Sequence, residues 1–414
     1  MRHQQTAKHV LLIACALLLV VLPIEGSAAL RYVALLMTCV GLAWYRRLSR
    51  ESAEPWLQFP LWPYWLLYAG VAIVGQLWAV APDYSWREIR NEVVFGALYF
   101  WLAFNIVRSN GDMRWLLRMI WAGNLLLVLY SLAIWLSGGQ TKDGLVGTIN
   151  TGVGNFSTYL VTVIPVLAFA LYREFVTRSR WRWLFALAFA ANFLAMYATE
   201  NRQSLLAVSA QLVVLSIFVL ASNLRRLKVV IPVLLLVCSF VGLFQLQMQH
   251  RLGEDATKGV MAALEKDGRL PIWKFSLAEV MQHPLHGGGM GRDSLQRQYP
   301  THPMTQGVFV HAHNMLINRL LQLGFPGLAA FLILLAALAF SFQAGGKTTP
   351  LARQLGIVGL AMFVGVFAKN MTDDFFVREQ AYLFWFFSGI LLGAQSLERV
   401  SQVKQGQAMQ EMPS

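Results

Sequence analysis

Apolar runs long enough to cross a bilayer recur along this chain, and the connectors between them alternate in charge so regularly that topology follows from them. A hydrocarbon core of about 30 Å needs a helix of about 17 to 22 residues. Lys and Arg collect on cytoplasmic connectors. Arg46, Arg47 and Arg50 follow the run 28–45 and mark a first cytoplasmic turn. From there the runs 61–80, 93–107, 115–136, 156–172, 183–198, 205–221 and 229–246 go out and back. Returning connectors carry Arg108, Arg114 and Arg118, then Arg173, Arg178, Arg180 and Arg182, then Arg225, Arg226 and Lys228. Outgoing ones carry Asp83, Asp143 and Glu200. The runs 325–342, 355–371 and 381–397 extend the rule, with Lys347 and Arg353 inside, Asp373 and Asp374 outside, and Arg399 and Lys404 inside.

The run 10–23 reads as a first helix, paired with 28–45 in a hairpin, rather than as a cleaved signal peptide. The expected fold is thus an all-α polytopic membrane protein with about 12 transmembrane helices and one large periplasmic loop containing short helices. Residues 1–246 hold helices 1–9, 247–312 the loop, 313–397 helices 10–12, and 398–414 a cytoplasmic tail rich in Gln and Met. Composition agrees: 57% of the residues are hydrophobic and 13% charged, which excludes a water-soluble globule. The net charge of +13 sits in short connector clusters, as helix anchors do, which argues against a nucleic-acid partner. Cys15, Cys39 and Cys238 lie in apolar runs and read as small buried hydrophobes.

The long loop concentrates the polar chemistry. Six of the eight histidines, His250, His283, His286, His302, His311 and His313, fall between Gln247 and Gly327. Helical spacing covers 257–266 and 270–282, the second with Trp273, Leu277 and Val280 on one face and Pro284 after it. The run His286-Gly287-Gly288-Gly289-Met290-Gly291 offers many backbone N–H groups and the makings of a loose anion site. It lacks the Lys and Ser/Thr of a nucleotide-binding loop.

Four side chains are singled out. Arg202 heads an outer helix end, and Arg269 opens the loop helix. Each also reads as an interfacial or solvated charge, and Glu200 is a candidate salt-bridge partner for Arg202. Together, two guanidinium forks suit a diphosphate without a metal. His311 and His313 would share a side of an extended strand and could chelate a metal with His302, although no carboxylate is spaced to complete the set. Alternatively His313 begins a helix and serves as a general base near neutral pH. One straight helix over 314–342 would be about 43 Å long, more than the apolar core, so a break is expected at Gly324-Phe325-Pro326-Gly327.

His313-Asn314, nine residues, then Gly324-Phe325-Pro326-Gly327 resembles the His-Asn/Ser/Gln, nine-residue, Gly-x-x-Gly motif of O-antigen ligases. Arg202-Gln203-Ser204-Leu205-Leu206 is similar to their Arg-x-x-x-Leu motif, and Gly268-Arg269-Leu270-Pro271-Ile272-Trp273 to the Arg-containing segment of their large periplasmic loop. The resemblance implies an inverting, metal-independent glycosyltransferase of the bacterial inner membrane that uses no cofactor. Its donor would be O-antigen on undecaprenyl diphosphate and its acceptor lipid A-core. It implies His313 as catalytic base and Arg202 and Arg269 as diphosphate ligands, with Asn314, His311 and Trp273 in support. O-antigen polymerases and protein O-oligosaccharyltransferases share parts of this layout. A secondary transporter or flippase is the alternative of another class, and it would need an intramembrane coupling charge.

Overall fold

The structure, a computed structural model, describes residues 2–24, 26–49, 58–137, 140–141, 144–145, 152–222, 227–252, 268–306, 309–345 and 349–410. Apart from a two-residue antiparallel ladder, Gln140–Thr141 with Gly144–Leu145, its regular structure is helical. In chain order the α-helices are α1 (Arg2–Val21), α2 (Ala28–Leu48), α3 (Trp62–Val74), α4 (Pro82–Glu88), α5 (Phe95–Ile106), α6 (Asn110–Leu136), α7 (Gly152–Val176) and α8 (Arg182–Ala198). They continue with α9 (Arg202–Ser222), α10 (Leu227–Leu252), α11 (Arg269–Gln282), α12 (Ser294–Gln298), α13 (Met315–Gly345), α14 (Pro350–Lys369) and α15 (Arg378–Gln410). Among the described residues six helices, α1, α2, α6, α7, α13 and α14, are long and apolar enough to cross a membrane. The chain is a multi-pass membrane protein.

Local sequence explains the boundaries. Ser109 and Thr349 cap α6 and α14 by accepting from the amides of Asp112 and Ala352, and Pro350 starts α14 where its missing N–H costs nothing. The helix α10 runs on to Leu252, past the expected boundary at 246, and α11 ends at Gln282, just before Pro284. The expected helix over 257–266 lies outside the described residues. On α11 the buried face is Ile272, Ser276 and Val280, whereas Leu277 is exposed. Ile272 and Val280 join Leu295, Ala312, Ile317, Leu320 and Leu321 in a small core that seats the loop on the start of α13. Elsewhere Gly389 and Gly393 on α15 bring its backbone against the Phe100 and Phe104 carbonyls of α5, where a methyl group would collide. Small residues four apart do this work where lipid tails offer helices no hydrophobic drive to associate.

Gly324 breaks α13 with φ 65° and ψ −167°, inside the stretch where the length argument requires a bend. The break leaves carbonyls without intrahelical donors. The glycine run meets that need: Gly288 and Gly289 donate to the Leu321 and Gln322 carbonyls at 2.9 and 3.0 Å, and Phe325 donates to the Pro284 carbonyl. Met290 donates to Ser85 Oγ. The expected anion site at His286 to Gly291 is therefore corrected, because three of its amides are spent on the broken helix and on α4.

A Cβ at Gly324 would lie 2.8 Å from the backbone of Pro284, Leu285 and His286, on a residue already at positive φ. Gly324→Ala should cost about 2 kcal/mol or more of stability. Thermal unfolding in detergent reads this as a lowered midpoint, and an unchanged midpoint would refute the locked break.

Candidate functional site

The site forms where the segment before α13 meets the turn after α14. Asn314 caps α13, its Oδ1 accepting from the Leu316 and Ile317 amides at 2.9 and 3.1 Å. Its Nδ2 donates to the Met371 carbonyl, and the Met315 amide donates to the Asn370 carbonyl. Asn318 accepts from the Ala312 amide and donates to Asp374 at 2.5 Å, fastening both strands of the clasp to one side chain. His313 therefore precedes the helix rather than beginning it, and takes φ 48°, a left-handed value uncommon for a side chain of its size.

The clasp brings His313 Nδ1 to 3.1 Å from Asp373 Oδ1. With Asp373 accepting, Nδ1 carries the proton and Nε2 keeps its lone pair. Nε2 has no hydrogen-bond partner among the described residues. Burial alone would raise the Asp373 carboxyl, but His311, His313 and the nearby Lys369 ammonium hold it well below the usual carboxylate range. His311 stacks on His313 with ring centroids 4.1 Å apart, and its Nε2 is 3.2 Å from the Arg292 guanidinium, which can only donate. Burial pushes the His311 imidazole down, against the pull of Asp373, whose Oδ1 lies 3.8 Å from the same Nε2.

Cations from separate elements surround this pair. Arg269, at the start of α11, faces the Gln203 side-chain amide; turned so that its oxygen meets the guanidinium, that amide accepts from Arg269 and, at 3.2 Å, from Thr372 Oγ1. Arg202 is the neighbour of Gln203 at the head of α9, half-buried, and α9 packs along α14. Lys369 is fully buried at the end of α14, and its Nζ has no hydrogen-bond acceptor among the described residues. It lies 4.9 Å from the Phe375 ring centroid, and the Arg292 guanidinium lies 5.0 Å from the same centroid. The ring and Asp373 stand between positive groups that would otherwise repel one another.

Of the residues expected from sequence, His311, His313, Arg269 and Asn314 gather here, with Arg202 one residue from Arg269's partner. No Arg202–Glu200 ion pair is found among the described residues. Trp273 is present as a strut: its Nε1 donates to the Ala312 carbonyl at 2.7 Å, fixing the strand between the histidines. His302 is absent, being stacked on Phe275. Sequence reasoning missed Asp373, read as a connector acid, and Lys369 and Arg292. Lys369 had a signal, a charge at the end of an apolar run. Glu92, also assigned to a connector, is buried and bound to Arg319 at 2.5 Å, so buried intramembrane charge is not lacking.

Contrary to the expectation that no carboxylate completes a metal set, His311, His313 and Asp373 offer ligand atoms within 4.8 Å of one another. A divalent ion there would face Arg292 and Lys369. The chemistry better matched is binding of an anion beside an imidazole base.

Residues 185–332 match the family model described as O-antigen ligase. The matched segment contains Arg202, Arg269, His311, His313 and the Gly324 break; Lys369 and Asp373 lie beyond it. No curated protein gives a significant match.

A neutral buried His311 has a pH consequence. Its folded pKa lies below the unfolded value, so its contribution to stability is present above about pH 6.5 and is lost as pH falls below that. Asp373 adds a second loss further into acid, below its ordinary range. The melting midpoint should decline from pH 7 to 5, and His311→Gln should flatten that limb. A midpoint independent of pH in this window would contradict a neutral His311.

Proposed function

We propose that this chain belongs to the O-antigen ligase family and moves O-antigen from undecaprenyl diphosphate to a sugar hydroxyl of lipid A-core at the periplasmic face of the bacterial inner membrane. The observation that carries the reading is a histidine with one nitrogen fixed by a buried carboxylate and the other unpartnered, beside cations contributed by three elements. The twelve-span topology with residues 247–312 outside belongs to the same proposal.

In this reading the acceptor hydroxyl gives its proton to His313 Nε2 while its oxygen bonds to the anomeric carbon. The bond from that carbon to the diphosphate oxygen breaks, and the lipid diphosphate leaves with the electron pair. One displacement inverts the anomeric centre. Asp373 holds the imidazole in the reactive tautomer and stabilises the imidazolium that forms. Arg202, Arg269, Arg292 and Lys369 meet the charge growing on the leaving group, each such contact being worth about 2 to 4 kcal/mol when preorganised. The same four cations supply the neutralisation that a divalent metal gives elsewhere. Ligase is favoured over polymerase by the His313-Asn314 and Gly324 to Gly327 match.

Reconstitution with purified undecaprenyl-diphosphate glycan and lipid A-core tests the reading through the appearance of a conjugate. His313→Ala should lower turnover about 10²- to 10⁴-fold while donor binding persists. Asp373→Asn should fall in the same range with the fold intact, and His311→Ala should be milder. Near-normal turnover in folded His313→Ala would remove it as the base.

Chelation separates the anion site from the metal site. Full transfer is expected in excess chelator; activity lost on chelation and restored by one metal would make His311, His313 and Asp373 ligands instead. For sidedness, a cysteine at exposed Gln282 should react with a membrane-impermeant thiol reagent in intact spheroplasts. Labelling only after the inner membrane is opened would reverse the topology.

A further inference from the structure

A cavity of about 450 Å³ opens between the start of α2, α4 and the start of α15, and its lining does not include Arg292, His313, Lys369 or Asp373. Its wall includes Arg31, Arg87, Arg90, Arg297 and Arg378. Two carboxylates face them: Glu379 pairs with Arg31, and Glu88 with Arg378 at 2.8 Å. Arg87, Arg90 and Arg297 have no ion-pair partner among the described residues, and Arg87 and Arg297 lie over the Tyr84 ring at 5.9 and 3.9 Å from its centroid. Arg378 stands at φ 43° on the first turn of α15, where the helix dipole disfavours a cation. A strained backbone that holds a guanidinium at that position points to a purpose other than helix stability.

The remaining walls suit a sugar. Tyr99 and Tyr382 stack at 4.7 Å and, with Tyr32 and Phe95, give flat apolar faces beside the charged ones. The volume lies within the range of small-ligand sites, enough for a phosphorylated saccharide unit. One wall is the start of α2, whose Val33, Leu36, Met37 and Val40 are exposed along an apolar face. A headgroup in the cavity would thus have a track for acyl chains beside it. The link to the clasp is short: Tyr84 Oη accepts from the Asp293 amide, next to Arg292, and Arg378 is reached from Asp373 along one turn of chain.

We propose that this arginine and tyrosine cavity binds a phosphate-bearing sugar headgroup of the acceptor glycolipid. The inference rests on the two-lipid transfer reading given above and extends it. The guanidinium forks take phosphate oxygens in pairs. The aromatic faces take the sugar ring. The donor diphosphate and the acceptor phosphate are then held by separate cation sets, Arg202, Arg269, Arg292 and Lys369 for the first and the cavity arginines for the second.

The test is binding, which does not depend on transfer. Full-length protein in nanodiscs is offered a bisphosphorylated glucosamine-disaccharide lipid (lipid A), the same lipid after phosphatase treatment, and inorganic phosphate, with retention read by native mass spectrometry. The wild type should retain the phosphorylated lipid about tenfold better than the treated one, about the sum of a few exposed charge contacts. Arg87→Gln/Arg90→Gln/Arg297→Gln should abolish that preference, and the corresponding triple Lys variant should keep part of it. Equal retention of both lipids by the wild type, or a preference that survives the Gln variant, overturns the proposal. Displacement of the lipid by inorganic phosphate at equal concentration would assign the cavity to free phosphate and overturn the headgroup. Failure to form a conjugate, with lipid retention intact, would count against the ligase reading and leave this site standing.

Discussion

The amide of Asn318 holds the site together. It accepts from Ala312 in the segment before α13 and donates to Asp374 in the turn after α14, and it works beside the Asn314 side-chain bond to the Met371 carbonyl and the Met315 amide bond to the Asn370 carbonyl. In a low-dielectric interior such a bond is strong when both partners are satisfied and costly when one is lost. Asp373 and His313 are each one residue from a member of this clasp. Their 3.1 Å approach is therefore a product of the clasp rather than an independent attraction, which explains how two residues 60 positions apart meet with one hydrogen-bonding geometry.

Charge balance gives the second constraint. Lys369 is buried with no hydrogen-bond acceptor among the described residues, and Arg292 and Arg269 share its surroundings, while Asp373 is the carboxylate closest in function to all of them. Desolvated like charges repel, so the folded protein holds local electrostatic energy that a bound anion would release. In the proposed reading the diphosphate is that anion, and the charge growing on it as it leaves is met by this cluster. Arg319 tells the opposite case: paired with Glu92, bonded to Gln322 and covered by Phe331, its charge is already spent inside the bundle.

Much of this was legible in the sequence, and what was not has a physical reason. The break at Gly324 could be read because a straight helix would overrun the bilayer, a constraint that needs no tertiary information. His313 and Arg269 each also suited an interfacial or solvated role, and it was the resemblance to the O-antigen ligase motifs that singled them out. Asp373 could not be paired with His313, since nothing local links a connector acid to a residue 60 positions away. The run from His286 to Gly291 was misread for the converse reason: its free amides were visible, but the carbonyls at Leu321 and Gln322 that consume them exist only once α13 has broken. Trp273 belonged to the site, yet for its indole N–H on the Ala312 carbonyl rather than for contact with substrate. Local composition announces donors and charges; the fold decides which of them are left over.

His313 shows what is left over here. A histidine at φ 48° carries backbone strain of about 1 to 3 kcal/mol, and three contacts hold it there: the bond to Asp373, the stack on His311 and the edge of Phe309 at 5.5 Å. A helical conformation at this residue would relieve the strain by extending α13 one position backward. It would also displace Asn314 from its capping position and swing Nδ1 away from Asp373. The strained conformer is thus the one in which the cap, the carboxylate and the unpartnered Nε2 coexist. Residues that keep such a conformation do so because the surrounding bonds over-determine it, and the imidazole nitrogen those bonds leave without a partner, Nε2, is buried.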